Sequence, residues 1–347
     1  MKNYSMIRSL KNLSYEEMQQ WAVDEGFAPY TGRQLFEWLF RHFLEDPAEM
    51  HNIKKEIRSR IAGYGPLRLL ELLRHKNSGG SGTEKFLFQC LDGNALESVL
   101  IRSGKRVTLC VSSQIGCAMN CSFCRTADMG FIRNLSAAEI IEQFIQVKKA
   151  SNEKISNVVF MGMGEPFNNF EQSIRAAIVL NHEKGPQIAA RHITLSTSGI
   201  VPKIREFAHL PYQFKLAISL NASTNRVRDK LMPVNHRYPL EQLLDAAKYY
   251  SDTTRRRITF EYVLIRDVND SEQDAAELKR LLRHIPCKLN VIPFNETGAS
   301  FQRPDEKDIE RFIGDLENAV FPVTLRLSGG RGINAACGQL YHEVLKT

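Results

Sequence analysis

Three cysteines within eight residues are the strongest chemical signal in the sequence. Cys117, Cys121 and Cys124 are separated by three and by two residues and follow a predicted strand. Soft thiolate ligands of this kind bind iron–sulfur clusters, zinc or copper. A structural zinc site needs four ligands, whereas a [4Fe–4S] cluster held by three cysteines leaves one iron open. This cysteine triad therefore favours a cluster; the alternatives are zinc completed by Cys110 or a distant histidine, or thiols that only pack in the core.

A glycine-rich turn follows another predicted strand. Gly162 and Gly164 precede Glu165, and Pro166 ends the turn. Glycines let a backbone approach a ligand closely, and a carboxylate can pair with an ammonium group. The third glycine of a dinucleotide-binding fingerprint is absent from the sequence. Taken alone, the turn is weak support for a binding site.

Two other cysteines stand apart in the sequence. Cys110 lies near the end of a predicted strand, and Cys337 lies between small residues near the C-terminus. A lone cysteine of this kind is most often a buried packing residue. Glu97, judged by itself, is most simply a solvated strand carboxylate. Thiols distant in sequence can still meet at the mouth of a barrel, which the sequence alone does not establish.

The composition is that of a globular protein. Of 347 residues, 43% are hydrophobic and 24% charged, which excludes disorder for most of the chain and favours roughly two domains. No run approaches the ~20 apolar residues of a membrane helix, and no secretory signal is visible, so we expect a cytoplasmic protein without a membrane partner. The net charge of +7 weakly favours an anionic partner such as RNA. Seven cysteines without an export signal indicate metal or redox chemistry in a reducing compartment.

The pattern of elements predicts three parts. Residues 1–76 should form a helical domain, with Ser14 and Glu17 as a capping box and further helices over 32–44 and 53–61. Residues 77–106 should form a linker and a short β extension with a turn at Asp92-Gly93-Asn94. Strands are predicted over residues 85–90, 96–101 and 107–112.

Residues 107–347 alternate between strand and helix patterns, which predicts a parallel sheet in a full or partial α/β barrel. The loops after Val111, Met161, Ser196 and Leu220 should then face one mouth. Strands are predicted over 157–161, 192–196, 215–220, 258–264, 288–292 and 323–327. Helices are predicted over 136–150, 171–182, 240–250, 271–283 and 305–316.

Together these segments resemble the radical S-adenosylmethionine (SAM) RNA adenine methyltransferases of the RlmN/Cfr type. The cysteine triad, with Phe123 just before its last member, resembles the cluster motif of the superfamily. The turn before Glu165 resembles the motif for the amino group of SAM. The match extends over residues 32–38, 92–97, 107–112, 130–135, 194–199, 231–235, 290–295 and 335–340.

This resemblance implies a partial (β/α) barrel of the radical SAM type, a [4Fe–4S] cluster and two molecules of SAM per turnover. It assigns the cysteine triad to the cluster. Where the family usually has a histidine at position 221, this chain has asparagine. The residues at the family's SAM-contact positions are Gly164, Glu165, Ser196, Ser219, Leu220, Asn221 and Asn295.

The resemblance also implies a reaction that uses both isolated thiols. Cys337 would take a methyl group from a first SAM and become S-methylcysteine. A radical from a second SAM would remove a hydrogen from that methyl group, and the resulting methylene radical would add to an aromatic carbon of adenine. Glu97 would remove the ring proton. Cys110 would then attack the sulfur of Cys337, forming a disulfide and releasing the methylated base.

Within the family, residues 114–119, 130–135 and 292–295 are more similar to members that methylate C2 of adenine than to the C8 group. We therefore expect this chain to methylate C2 of adenine in 23S rRNA; some members of the C2 group also act on tRNA. We further expect an electron donor such as flavodoxin. The alternatives are methylation of C8, another RNA substrate, or a non-enzymatic zinc-dependent RNA-binding protein. The glycine-rich segment 328–332 departs from the family pattern just before Cys337.

Overall fold

Three helices form the N-terminal part of the fold in the computed structural model, which describes residues 8–296, 300–327, 329 and 333–340. They are α1 (Tyr15–Asp24), α2 (Pro29–Phe40) and α3 (Lys55–Tyr64). The predicted capping box at the start of α1 is confirmed, because Ser14 and Glu17 each accept the main-chain N–H of the other. The apolar stripe of α2 faces the core, where Leu35 and Phe36 are fully buried.

Four antiparallel strands follow the helices. They are β1 (Leu70–Asn77), β2 (Thr83–Cys90), β3 (Ala95–Ser103) and β4 (Arg106–Cys110), paired in sequence order. The predicted turn at Asp92-Gly93-Asn94 joins β2 to β3, with Gly93 at a φ of 83°. The sequence did not predict β1, because this edge strand is polar and mostly exposed and contains a register irregularity.

The parallel part of the sheet begins at β4. Two short strands, β5 (Gln114–Gly116) and β6 (Phe131–Asn134), form a separate antiparallel pair. The sheet continues from β4 through parallel neighbours, and all six predicted strands of this region are present. They are β7 (Asn157–Phe160), β8 (Ile193–Thr197), β9 (Lys215–Ser219), β10 (Ile258–Leu264), β11 (Cys287–Pro293) and β12 (Val323–Leu325).

Helices connect the parallel strands, as the α/β pattern predicted. The five predicted helices are present as α5 (Ala137–Ser151), α6 (Phe170–Asn181), α9 (Leu240–Thr254), α10 (Glu272–Leu282) and α11 (Glu306–Asp315). Three short helices were not predicted: α4 (Arg125–Asp128), α7 (Val201–Phe207) and α8 (Asn225–Leu231). Each has seven residues or fewer, too few to show a helical period in the sequence. Within the described ranges, no helix is long and apolar enough to cross a lipid bilayer.

The ten-stranded sheet does not close on itself within the described residues, in agreement with the predicted partial barrel. At one end β1 pairs with β2, and at the other β12 pairs with β11. Strand residues such as Phe160, Leu195 and Leu216 are buried between the sheet and its helices. Of the glycine-rich segment that precedes Cys337, residues 328 and 330–332 lie outside the described part of the chain.

Candidate active site

A cavity lies at the carboxyl ends of the parallel strands, where polar residues were predicted to meet. The cysteine triad and Cys337 line this main cavity. Because the ends of parallel strands share one edge of a sheet, residues from distant loops converge here. Six of the predicted SAM-contact residues also line it, namely Gly164, Glu165, Ser196, Ser219, Asn221 and Asn295.

The three cysteines of the triad are partly buried. Burial raises the pKa of Cys117 to about 12, a backbone hydrogen bond opposes this, and the charges of Glu165 and Cys124 raise it further. Burial also raises the pKa values of Cys121 and Cys124, and the other two thiols add to the effect at Cys121. Three thiolates that line one cavity need a compensating positive charge, which a metal centre supplies. The donor set therefore fits a cluster held by three cysteines.

Main-chain hydrogen bonds shape the loop that carries the triad. The N–H of Cys117 donates to Gly130, next to β6, over 2.9 Å. The N–H of Ser122 donates to Leu231 at the end of α8 over 3.0 Å. Asn120 has a φ of 51°, a conformation that asparagine tolerates better than most residues. Among the described residues, no group of three or more His, Cys, Asp or Glu side chains is arranged to hold a single metal ion. In a [4Fe–4S] cluster each cysteine binds a different iron, so the three thiols need not converge on one point.

The turn after β7 needs its glycines because other chain segments lie against it. A Cβ on Gly164, which has a φ of 95°, would lie 2.5 Å from the Cβ of Gln114. A Cβ on Gly162 would lie 2.7 Å from the carbonyl oxygen of Val111. Both distances are too short for any side chain, so the turn packs directly onto the segment between β4 and β5.

Glu165 is fixed by main-chain donors on both sides. One carboxylate oxygen accepts the N–H of Ser198 over 2.7 Å and the other accepts the N–H of Phe167 over 2.9 Å. Burial raises the pKa of Glu165, and these hydrogen bonds oppose that rise. Each oxygen retains acceptor capacity, so this carboxylate can also receive an ammonium group from the main cavity.

Arg228 is a site residue that the sequence analysis missed. It lies on α8, is fully buried, and donates to the carbonyl oxygens of Ser198, Ser219 and Leu220 over 2.6, 3.2 and 3.1 Å. Burial lowers its pKa to about 10, and the charge of Cys121 opposes this. The guanidinium therefore joins the loops after β8 and β9 beside the triad. These three partners are main-chain carbonyl oxygens, which no sequence motif marks. Arg228 also donates to the side-chain oxygen of Asn235 over 3.1 Å.

The two residues after Ser219 have different surroundings. Asn221 has a φ of 57°, and its side-chain oxygen accepts the N–H of Val263 on β10 over 2.9 Å. Asparagine tolerates this left-handed conformation, as histidine does, so the conformation does not distinguish it from the histidine that the family usually has here. The side chain of Leu220 is fully buried and is not among the described residues that line the main cavity.

The loop of residues 333–340, called here the Cys337 loop, is anchored to the barrel by hydrogen bonds. Asn295 donates to the carbonyl oxygen of Cys337 over 3.3 Å. The N–H of Arg125, which follows the triad, donates to Gly338 over 2.8 Å. Gln339 donates to Glu296 over 2.8 Å. These contacts place Cys337 at the rim of the main cavity.

Cys110 and Cys337 meet at a second, smaller cavity. This side cavity lies between β3, β4 and the Cys337 loop, and Arg326 lines it together with both thiols. Burial raises the pKa of Cys110 to about 12, the charge of Cys337 adds to this, and Arg326 opposes it. Arg326 also lines the main cavity, where the buried carboxylate of Glu261 on β10 is a neighbouring charge. Arg326 was not predicted as a site residue.

Glu97 is buried on β3, whereas its simplest interpretation from sequence was a solvated carboxylate. It is 3% exposed and forms an ion pair of 2.7 Å with Lys85 on β2. It is absent from the described residues that line the two cavities. Lys85 also donates to Asn334 in the Cys337 loop over 3.1 Å. The carboxylate is therefore linked to that loop through a lysine that the sequence analysis did not single out.

Comparison with known proteins identifies the family. The model of the radical SAM superfamily matches residues 111–278, and that of the ribosomal RNA large subunit methyltransferase N-terminal domain matches residues 8–64. The dual-specificity RNA methyltransferase RlmN of Desulfosudis oleivorans is 44% identical over 350 residues, covering 100% of this chain and 94% of the relative. The chain belongs to the RlmN family. The RlmN of Geotalea uraniireducens is 43% identical, with 95% of this chain and 96% of the relative covered.

The fold of this RlmN family member is shared by a solved structure. The crystal structure of a radical SAM methyltransferase from Sphaerobacter thermophilus superimposes with a TM-score of 0.92, at 42% identity, covering 96% of this chain and 98% of the other. The predicted radical SAM architecture is thereby confirmed. Membership of the superfamily gives the chain a [4Fe–4S] cluster and SAM as cofactors, as expected.

Proposed function

We propose that this chain methylates C2 of adenine in RNA and uses S-methylcysteine as the carrier of the methyl carbon. The observation that supports this most is the position of Cys337, which lines both the main cavity with the triad and the side cavity with Cys110. A carrier thiol must reach the methyl donor and then a resolving thiol. Cys337 is the cysteine shared by these two cavities in the described part of the chain.

We assign the cluster to the triad and SAM to the neighbouring loops. Glu165 is the partner of the amino group of SAM, because its buried carboxylate faces the main cavity at the end of β7. Gly164, Ser196, Ser219, Asn221 and Asn295 form the remaining wall, and Leu220 supports it from behind. When bound, the cluster and SAM supply a methyl group in one role and a carbon-centred radical in the other.

The chain's own residues complete the reaction. The sulfur of Cys337 takes the methyl group and holds it where a hydrogen atom can be removed. Glu97 accepts the ring proton of the base after the new carbon–carbon bond has formed, and the radical adduct also gives up one electron, for which the cluster would be the acceptor. The sulfur of Cys110 then attacks that of Cys337, so that the S–S bond forms as the S–C bond breaks and the released carbon takes a proton. Two electrons from an external thiol reopen the disulfide before the next turnover.

The RNA is proposed to be 23S rRNA, with tRNA as a further substrate. Curated relatives carry the name dual-specificity RNA methyltransferase, and the N-terminal model that matches residues 8–64 is that of a ribosomal RNA methyltransferase. We propose that residues 1–76 contact the RNA, that 77–106 form the β extension together with β1, and that 107–347 form the catalytic barrel. Binding of RNA through its phosphate groups weakens steeply as the salt concentration rises, and we expect the same of this chain. Flavodoxin is a suitable electron donor.

Nucleoside mass spectrometry tests the proposal. The chain is expressed in a host that lacks 2-methyladenosine in its rRNA and tRNA, and the modified nucleosides are quantified. We expect 2-methyladenosine to appear with the wild-type chain and to be absent with Cys337→Ala. The appearance of 8-methyladenosine, or of no methylated adenine with an iron-loaded protein, would overturn the proposal.

A further inference from the structure

Lys85 connects three parts of the molecule that lie far apart in the sequence. It extends from β2, its ammonium nitrogen lies 2.7 Å from Glu97 on β3, and it donates over 3.1 Å to the carbonyl oxygen of Asn334 in the Cys337 loop. The Lys85 side chain is 10% exposed and that of Glu97 is 4% exposed. Burial of an ammonium group is unfavourable unless it is paired and hydrogen-bonded. These two acceptors therefore account for the buried position of the lysine.

The strand register places the groups of the proposed reaction on one face of the sheet. Lys85 lies opposite Val99, and Val99 lies opposite Cys110 on β4. Glu97 is two residues from Val99, so its side chain points to the same face. Val99 and Cys110 line the side cavity beneath the Cys337 loop. The proposed base and the proposed resolving thiol therefore share the face over which the loop lies.

The hydrogen bond from Lys85 to Asn334 reaches the Cys337 loop from a different side than the other anchors of that loop. Asn295 and Arg125 hold the loop from the barrel, near the triad. Lys85 holds it from the β extension, three residues before Cys337. A loop held from two sides has a defined height above the sheet, and displacements of about 1 Å in a reacting group can lower a rate by ~100-fold.

We propose that Lys85 is a positioning residue, which holds the Cys337 loop above the face of the sheet that carries Glu97 and Cys110. The effect of Lys85 on catalysis rests on the proposed function, whereas the hydrogen bond between Lys85 and the Cys337 loop does not. Lysine suits the task because its ammonium group has three donors, enough for the carboxylate and the carbonyl together.

Hydrogen–deuterium exchange of the full chain tests the tie without requiring turnover. In Lys85→Met, amides of residues 333–340 should exchange roughly tenfold faster than in the wild type, because one anchor of the loop is lost. Lys85→Arg should restore most of the protection, since it keeps both charge and donors. Lys105→Met, at an exposed position between β3 and β4, is the matched control and should leave exchange unchanged.

A second variant guards against unfolding. Lys85→Met removes a cation that pairs with the buried carboxylate of Glu97, which by itself destabilises a fold. The double variant Lys85→Met, Glu97→Gln removes the charge of that carboxylate as well and should keep the thermal midpoint close to that of Glu97→Gln. Its loop should still exchange faster than in Glu97→Gln alone. Unchanged exchange in both Lys85 variants would overturn the positioning role.

Separate assays of the two half-reactions test the catalytic meaning. With reconstituted enzyme, Lys85→Met should form S-methylcysteine at residue 337 within about threefold of the wild-type rate, because the barrel anchors remain. Release of methylated RNA should fall at least ~10-fold, since Glu97 and Cys110 are no longer aligned with the loop. An equal fall in the rates of S-methylcysteine formation and of methylated RNA release would overturn the proposed effect of Lys85 on catalysis. If the wild type methylates no adenine, the proposed function fails, and the exchange experiment still decides the tie.

Discussion

The main-chain N–H of Arg125 donates a hydrogen bond of 2.8 Å to the carbonyl oxygen of Gly338. Arg125 directly follows the triad and Gly338 directly follows Cys337, so the two loops with the proposed reactive sulfurs touch. A second bond, from the hydroxyl of Thr126 to the carbonyl oxygen of Leu340, measures 2.7 Å. A main-chain hydrogen bond next to both sulfur-bearing segments thus helps to set the position of Cys337 relative to the triad.

The triad should account for all the iron of the protein. Cys121→Ala is expected to abolish the broad iron–sulfur absorbance and to lower the iron content to near zero after anaerobic reconstitution, because two thiolates cannot hold the cluster. Cys287→Ala is the control, since Cys287 is buried at the start of β11 and should keep its iron. One zinc per wild-type chain and no iron would contradict the cluster assignment.

The relay of two thiols predicts a trapped covalent species. Cys110→Ala should accumulate a protein–RNA adduct through residue 337, because no thiolate remains to break the sulfur–carbon bond. Denaturing gel electrophoresis with labelled RNA would show the shifted band. Cys337→Ala should give no adduct, and Cys90→Ala, a buried cysteine on β2, should turn over normally. Normal turnover of Cys110→Ala would exclude the resolving role.

The reactivity of Cys110 should rise with pH well beyond the usual range of a thiol. Burial raises its pKa to about 12, so below that pH the thiolate fraction and the alkylation rate should increase about tenfold per pH unit. Arg326→Gln removes the cation that opposes this rise and should slow alkylation at every pH, and Arg326→Lys should recover part of the rate. Peptide-level mass spectrometry after iodoacetamide treatment between pH 7 and 10 measures the alkylation rate of Cys110.

A matched control for that experiment is Arg311→Gln, on the exposed side of α11, where the arginine pairs with Asp308. Its profile should match that of the wild type. A rate that reaches a plateau near pH 9, or faster alkylation of Cys110 in Arg326→Gln, would contradict the assigned role of Arg326.

Arg228 should contribute to both stability and cofactor binding. Arg228→Met leaves the carbonyl oxygens of Ser198, Ser219 and Leu220 without this donor, which we expect to lower the free energy of unfolding by roughly 2–4 kcal/mol. Urea unfolding of the purified chain measures this. SAM binding to the reconstituted protein should weaken as the loops after β8 and β9 loosen. Arg226→Met, at an exposed neighbouring position on α8, should change neither quantity by much.

Much of the site was predictable because parallel strands end at a common edge. That the loops after Met161, Ser196 and Leu220 converge followed from where the strand patterns stop. The family resemblance singled out Glu165, Ser196 and Ser219, and the structure places all three at the main cavity. The capping box of Ser14 and Glu17 was predictable because its partners are three residues apart. In each case a local pattern carries the information.

Arg228 and Lys85 could not be predicted in this way. Their partners include main-chain carbonyl oxygens, which every residue has, and the contact between Lys85 and Asn334 spans 249 residues. Glu97 is buried although carboxylates are usually exposed, because strand pairing brings the ammonium group of Lys85 to it. Likewise β1 forms because β2 offers it an edge, and its own sequence shows no regular alternation.

The turn between β2 and β3 has an influence that reaches beyond its own surface. Side chains alternate along β3, so Glu97 faces the Cys337 loop while Ser98 faces the opposite side, where it donates to Gln143 of α5 over 2.8 Å. Removing one residue from the turn would shift β3 by one position and exchange these two faces. The chemistry proposed for Cys110 and Cys337 therefore depends on the length of the exposed turn between β2 and β3.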